Sequence, residues 1–285
     1  MGSHKGAALI IVLMLTAVIS VFMMTLLGSS RMSLDVAVSI NRNLMNQLEF
    51  ESVKSKLLME MYTTSFHLIG PSTAFVYDEE QPSKANLFGR PFVFSQHNIE
   101  IQDQTGLVSL QPFDKDALNA LLAHYEVDEE QRIVISEQIE DWIDDDKFVR
   151  LQGAENGDYE QAFLPNNKAF QSVLELSLIP AISMELYDRI SADFSLISDF
   201  SLVESFVPDY LVDLVSDSQD VDLFVEQRSG SVNLEVRGID EGGYPSGYFD
   251  ISITGEEKVN SKLTFTIIRS LGSIKPFYVI NEEYN

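Results

Sequence analysis

One uncharged apolar run, residues 7–27, sits directly behind a six-residue start that ends His4-Lys5-Gly6. As a helix those twenty-one residues extend about 31 Å, enough for a bilayer core of roughly 30 Å. A cleavable secretory signal has a shorter apolar stretch and a small-residue exit. The exit here, Gly28-Ser29-Ser30-Arg31, gives cleavage at that point little support, and the sequence beyond it continues as a helix pattern. The chain therefore reads as an N-terminal membrane anchor leading into a soluble body.

Without the anchor, the 285-residue chain has room for one large or two small domains, and its 45% hydrophobic content is sufficient for real cores. A net charge of -25 opposes nucleic acid and anionic membrane surfaces and favours cations or basic partners. With no cysteine there is neither a disulfide framework nor a thiolate site. Lys5 precedes the span and Arg31 follows it, so loop charge scarcely decides orientation. The acidic body is compatible with export.

Residues 34–61 read as a helix. Val36, Ile40, Leu44 and Leu48 recur every four residues, and Val53, Leu57 and Met61 continue the spacing. No proline or glycine interrupts residues 31–66, so anchor and stem form one nearly continuous helix whose later apolar stripe packs on a domain. An ordinary amphipathic helix after a signal anchor is the plainer alternative. From Gly70 the period changes: Phe92 and Phe94 alternate, then Ile99 and Ile101, with Gly106 marking a turn. These are the first strands of a sheet against which the stem would lie.

Beyond Pro112 the pattern is helical. Asp114 is placed to cap a helix carrying Leu118, Leu121 and Leu122; Asp128 caps a second carrying Ile135, Ile139, Trp142 and Ile143. A third is expected from near Asn167 through Phe170, Val173 and Leu174, and a fourth carries Met184, Leu186, Tyr187 and Ile190. Pro208-Asp209 opens another through Leu211 and Leu214. Carboxylates gather between the second and third: Asp141-Trp142-Ile143-Asp144-Asp145-Asp146, then Gly153-Ala154-Glu155-Asn156-Gly157-Asp158-Tyr159. Alternating loop carboxylates with glycines supply the hard oxygens that Ca²⁺ takes, although the spacing is not that of an EF-hand. A solvated acidic loop is the competing reading. Asp141 is assigned to the helix and Trp142 to the core.

These residues carry a resemblance to the minor pseudopilin K family (GspK) of type II secretion systems. Lys5-Gly6 followed by Ala7-Ala8-Leu9-Ile10-Ile11 resembles a prepilin-peptidase site cut between Gly6 and Ala7. The acidic segment from Ile139 to Asp146, with Gly153-Ala154-Glu155-Asn156 and Tyr159, is similar to the family's D-W-x-D-x-D…G-A-E-[DN]…Y signature. Phe170-Gln171-Ser172-Val173-Leu174-Glu175-Leu176 is similar to its F-x-S-V-x-E-L segment. The family's asparagine-rich stretch has no counterpart, residues 196–208 being apolar and serine-rich instead.

The resemblance implies calcium held by Asp144, Asp146, Glu155, Asn156 and Asp158. It implies minor pseudopilins I and J as partners in a tip complex, prepilin peptidase as the processing enzyme, and an inner-membrane protein with a periplasmic body. In a chain starting at Ala7 the fifth residue is Ile11, where most pilin-like subunits carry glutamate. An apolar residue there removes the carboxylate that pairs with a neighbour's N-terminal amine, which is consistent with the end of a filament.

Phe249, Ile251 and Ile253 alternate, as do Leu263, Phe265 and Ile267, which predicts a hairpin with one buried face. Val221 to Arg228 alternates in part, yet the resemblance implies a last helix there, and helix is the reading taken. The expected architecture is α+β: a transmembrane, pilin-like helix packed on a small antiparallel sheet, with an all-helical (SAM-like) unit inserted between the strands. The expected divisions are a leader at 1–6, a span at 7–30, stem and first strands at 31–110, the inserted helical unit at 111–240 and closing strands at 241–285.

Catalysis is disfavoured. The four histidines fall in different elements, and neither H-E-x-x-H nor G-x-S-x-G occurs. A DNA-uptake helix-hairpin-helix reader needs basic loops, and this loop is acidic. The reading is a non-catalytic minor pseudopilin, the alternative being a minor type IV pilin or another membrane-anchored periplasmic adaptor.

Overall fold

A computed structural model describes residues 5–64, 66–70, 85–159, 161, 163–196, 202–215, 244–255, 261–270 and 275–284. The chain divides into two compact units, Met1–Val53 and Lys54–Asn285. A single helix, α1 (Lys5–Thr63), accounts for the described part of the first unit and opens the second.

Within Met1–Val53, α1 exposes the side chains that water disfavours, including Leu13, Phe22 and Leu27. Among the described residues it alone is long and apolar enough to cross a membrane, with a best-window hydropathy of 2.7. Its hydroxyls turn back on their own helix: Thr16 Oγ1 donates to the Leu13 carbonyl at 2.9 Å and Ser20 Oγ to the Thr16 carbonyl at 2.8 Å. In hydrocarbon that satisfies groups with no water to meet. The stripe of Val36, Ile40, Leu44 and Leu48 is exposed as well. Of the expected stem contacts, burial in the second unit begins with Leu57 and Met61.

In Lys54–Asn285, the end of α1 and a short α2 (Phe66–Ile69) meet a five-stranded antiparallel sheet. Its strands are β1 (Phe92–Phe94), β2 (His97–Asp103), β5 (Tyr248–Thr254), β6 (Lys262–Arg269) and β7 (Phe277–Tyr284), adjacent in that order. Lys54 Nζ pairs with Glu282 at 2.7 Å and lies over the Phe265 ring. His67 packs edge-on to Phe277, while Arg269 donates to the His67 carbonyl at 2.8 Å. The buried face is built from the predicted alternation: Phe249 opposite Ile267, Ile251 opposite Phe265 and Ile253 opposite Leu263. Ile99 and Ile101 of β2 extend it opposite Ile253 and Ile251.

β2 pairs directly with β5, so the described residues between them in sequence lie outside the five-stranded sheet. That excursion contains α3 (Lys115–His124), α4 (Glu129–Ile143) and α5 (Met184–Ile190). It also holds a two-residue parallel pair, β3 (Val108–Ser109) with β4 (Phe194–Ser195). Asp114 and Asp128 cap α3 and α4, accepting from the backbone N–H of Ala117 and Gln131. One apolar core joins Leu118, Leu121, Ile135, Ile139, Trp142 and Phe170.

The structure corrects several sequence expectations. No α-helix starts at Asn167; the turn there is the 3₁₀ segment Val173–Leu178, capped by Ser172, and Phe170 precedes it. The segment after Pro208 is likewise 3₁₀, Asp209–Leu214. Runs of six residues carry too little period to tell the two helix types apart. β7 went unread because it is an edge strand whose residues are mostly exposed, and β4 because two residues hold no period. The helix expected over Val221–Arg228 lies outside the described residues.

Candidate functional site

α4 positions the acidic segment. Its apolar face carries Ile135, Ile139 and Trp142 into the core, the Trp142 ring stacking on Phe170 at 5.9 Å and tilting against Tyr159 at 5.7 Å. The helix stops at Ile143, with Asp144 extended as its C-cap and its N–H on the Glu140 carbonyl. Asp141, one residue before the core tryptophan, has a fully buried carboxylate.

The chain returns to cover that carboxylate. Arg150 donates its backbone N–H to Asp141 Oδ2 at 3.2 Å, and its Nη1 bonds Asp141 Oδ1. The same Nη1 reaches Asp144 Oδ2 at 2.5 Å, and Nε lies 3.1 Å from Glu140 Oε2. Lys115 Nζ holds the other Glu140 oxygen at 3.0 Å. Gly153 completes the cover, since a Cβ there would run into Asp141 Oδ2. This glycine is demanded by space. Gly157, at φ +116°, is demanded by backbone conformation.

Beneath the arginine clamp lies unbalanced negative charge. Glu155 is 7% exposed, and neither carboxylate oxygen has a hydrogen-bond partner among the described residues. Asp144 Oδ1 and the Tyr159 hydroxyl are buried and unpartnered as well. Burial pushes the Glu155 carboxyl above its ordinary range; the nearby charges of Asp141, Asp144 and Asp146 add to the shift, against a partial offset from the nearby Asn156 backbone N–H, which falls short of hydrogen-bonding geometry. Burial, then Asp141, Glu155 and Asp158, raise the Tyr159 hydroxyl too. Buried anionic oxygens without donors are costly, and a hard cation is the partner that such oxygens favour.

The five residues expected as ligands are not brought together equally. Asp144 and Asp146 both lie near enough to Glu155 for their charges to raise its carboxyl. Asp146 Oδ1 accepts from the Phe148 N–H at 2.8 Å, organising its own turn. Asp158 Oδ2 accepts from the Glu155 N–H at 3.0 Å and so fixes the backbone that presents Glu155. Asn156 is exposed. Among the described residues no three Asp, Glu or His side chains converge as a ready-made cage. Gly6 and Ala7 fall in the first turns of α1. Sequence reasoning left Asp141 and Arg150 outside the site, although Arg150, between two acidic stretches, was a signal in itself.

A helix long and apolar enough to cross a membrane, an antiparallel sheet and a helical excursion between β2 and β5 define an α+β architecture. Residues 97–196 match the family model described as type II secretion system, protein K. That segment contains the Asp141–Arg150 clamp and Glu155. No curated protein matches the chain. Among solved structures, one chain of the crystal structure of the GspK-GspI-GspJ complex from the enterotoxigenic Escherichia coli type 2 secretion system is similar. It is 17% identical with a TM-score of 0.48, over 85% of this chain and 99% of that one.

Proposed function

We propose that this chain is a minor pseudopilin K of type II secretion, that it ends the pseudopilus as a non-catalytic tip subunit and that its acidic loop binds calcium. The observation that carries the calcium reading is the buried, unpartnered Glu155 carboxylate beside Asp144 Oδ1. Both are hard oxygen donors of the kind Ca²⁺ takes, and remaining positions on such an ion are commonly filled by carbonyls and water. Asp158 orients Glu155, Asp146 shapes the turn, and Asn156 stands at the exposed edge. A bound divalent ion would neutralise the buried charge and stiffen the loop.

The tip reading rests on Ile11, the apolar fifth residue once the leader is cut between Gly6 and Ala7 by prepilin peptidase. A subunit lacking the acidic hook needs no neighbour above it. Its span would lie in the inner membrane, its body in the periplasm, and its exposed stripe of Val36, Ile40, Leu44 and Leu48 offers a face to the helices of minor pseudopilins I and J. The described histidines serve the fold: His67 Nδ1 meets the Met61 carbonyl, His97 Nδ1 the Ser95 carbonyl and His124 Nδ1 the Asp213 carboxylate, which supports a non-catalytic role.

Co-expression of the full chain with minor pseudopilins I and J, followed by gold labelling of assembled fibres, tests the placement. Copurification with label confined to fibre ends is expected. Label along the shaft would remove the tip reading.

A further inference from the structure

We propose that residues 146–152 form a docking prong for a partner protein whose apolar cleft is rimmed by lysine or arginine. Phe148, Val149 and Leu151 are 82%, 57% and 91% exposed. Single apolar side chains on a surface are ordinary. Three within four consecutive residues, two of them almost bare, form a patch of the kind that marks an interaction site.

The backbone beneath holds that patch out. Phe148 N–H donates to Asp146 Oδ1 at 2.8 Å, Arg150 N–H to Asp141 Oδ2 at 3.2 Å and Gln152 N–H to Glu137 Oε2 at 2.5 Å. Asn167 Nδ2 donates to the Asp146 carbonyl at 2.5 Å, and Gly153 N–H to the Arg150 carbonyl at 3.2 Å. The Arg150 guanidinium turns inward onto Glu140, Asp141 and Asp144, while Val149 and Leu151 on either side of it face solvent. Two of these anchors, Glu137 and Asp141, belong to α4, which is itself seated in the core through Ile135, Ile139 and Trp142. A loop fixed at alternate residues has little freedom to fold its apolar side chains inward. The ordering that a partner would otherwise impose is already made.

Charge selects the occupant. Between residues 137 and 158 the sequence holds eight carboxylates and two cations, Lys147 and Arg150. Asp145 and Asp146 stand exposed at the foot of the prong. One divalent ion on the loop would leave that sign unchanged, so the inference does not depend on the calcium reading. A second copy would set like charge against like charge, and an anionic lipid surface would repel the loop too. An apolar cleft with a basic rim meets both features: Phe148 and Leu151 anchor in its floor, and the aspartates face its rim.

The test uses the full-length chain in phosphatidylcholine nanodiscs, with chelator present and empty discs as the reference. An amphipathic helical peptide of leucine and lysine serves as the probe, and a matching leucine–glutamate peptide as the control. The unaltered chain is expected to bind the lysine peptide and not the glutamate one. Phe148→Ser combined with Leu151→Ser should weaken that binding about tenfold, since two anchors are lost. Leu174→Ser, an exposed leucine outside the loop, should leave it unchanged. Circular dichroism confirms that each variant is folded. No binding by the unaltered chain, equal binding by the double variant, an equal loss in Leu174→Ser or equal binding of both peptides overturns the inference. Dimerisation, or capture of phosphatidylglycerol vesicles, that the double variant loses gives the face to a second copy or to lipid and overturns it likewise.

Discussion

The Asp141 carboxylate fills the space where a side chain at Gly153 would begin, so helix α4 and the loop that follows it are built around one shared volume. Gly153→Ala forces a buried, doubly bonded carboxylate to move. Overpacking of this kind costs about 1–3 kcal/mol. The expected outcome is a lower urea midpoint with an unchanged slope, and equal stability of the two chains would contradict the packing described here.

Calcium binding to the folded loop should raise the melting temperature of the chain. A ligand at a hundredfold excess over its Kd stabilises by about 2.7 kcal/mol. The double variant Asp144→Ala, Glu155→Ala is expected to abolish that rise, as read by thermal melts with calcium and with chelator. A full response in the variant would place the ion elsewhere.

In the absence of calcium, Glu155 makes stability depend on pH in a definite direction. Its folded-state pKa is raised by burial, so the folded chain holds the proton more tightly than the unfolded one. Its contribution is therefore complete below the ordinary glutamate range and is lost as pH rises through the raised value. Asp103, Asp193 and Asp250, also raised by burial, act in the same direction. Thermal melts in chelator should show the chain gaining stability as pH falls from neutrality toward the glutamate range, with a shallower gain in Glu155→Gln.

Trp142 is the only tryptophan in the chain, and it stacks on Phe170 in the core beside the loop. Trp142→Phe leaves an aromatic there, whereas Trp142→Ala removes most of the packing at a cost of about 3–5 kcal/mol. Urea unfolding followed by circular dichroism is the measurement, and the alanine variant is expected to lose several times more stability than the phenylalanine one.

Processing provides a test at the other end of the chain. Replacing Gly6 with leucine should leave the leader attached, with the retained six residues visible by intact mass. Normal removal would count against the prepilin-peptidase site.

Residue pattern alone carried the span, the helical stem, the two capped helices α3 and α4, and the hairpin of β5 and β6. In each case a period of 3.6 or 2 repeats over enough residues to be read, or a carboxylate stands at a helix start. The alternation of Phe249, Ile251 and Ile253 survived as a buried sheet face, since one face must bury apolar groups wherever the strand sits. The acidic loop was visible as a composition. Its wiring was not, because Arg150 and Asp141 are nine residues apart and their contact depends on the chain turning back at the end of α4. The same limit hid β4, whose partner β3 is distant in sequence, whereas β7 pairs with its neighbour β6 but is mostly exposed and carries no readable period.

Local chemistry thus determined what each segment is: an apolar helix of membrane-spanning length, capped helices, alternating strands and a run of carboxylates. Tertiary structure decided which of those carboxylates are neutralised and which are left bare. The reason is that hydrophobic periodicity acts along the chain, whereas the burial of Asp141 and Glu155 and the reach of Arg150 are properties of segments that meet only after folding.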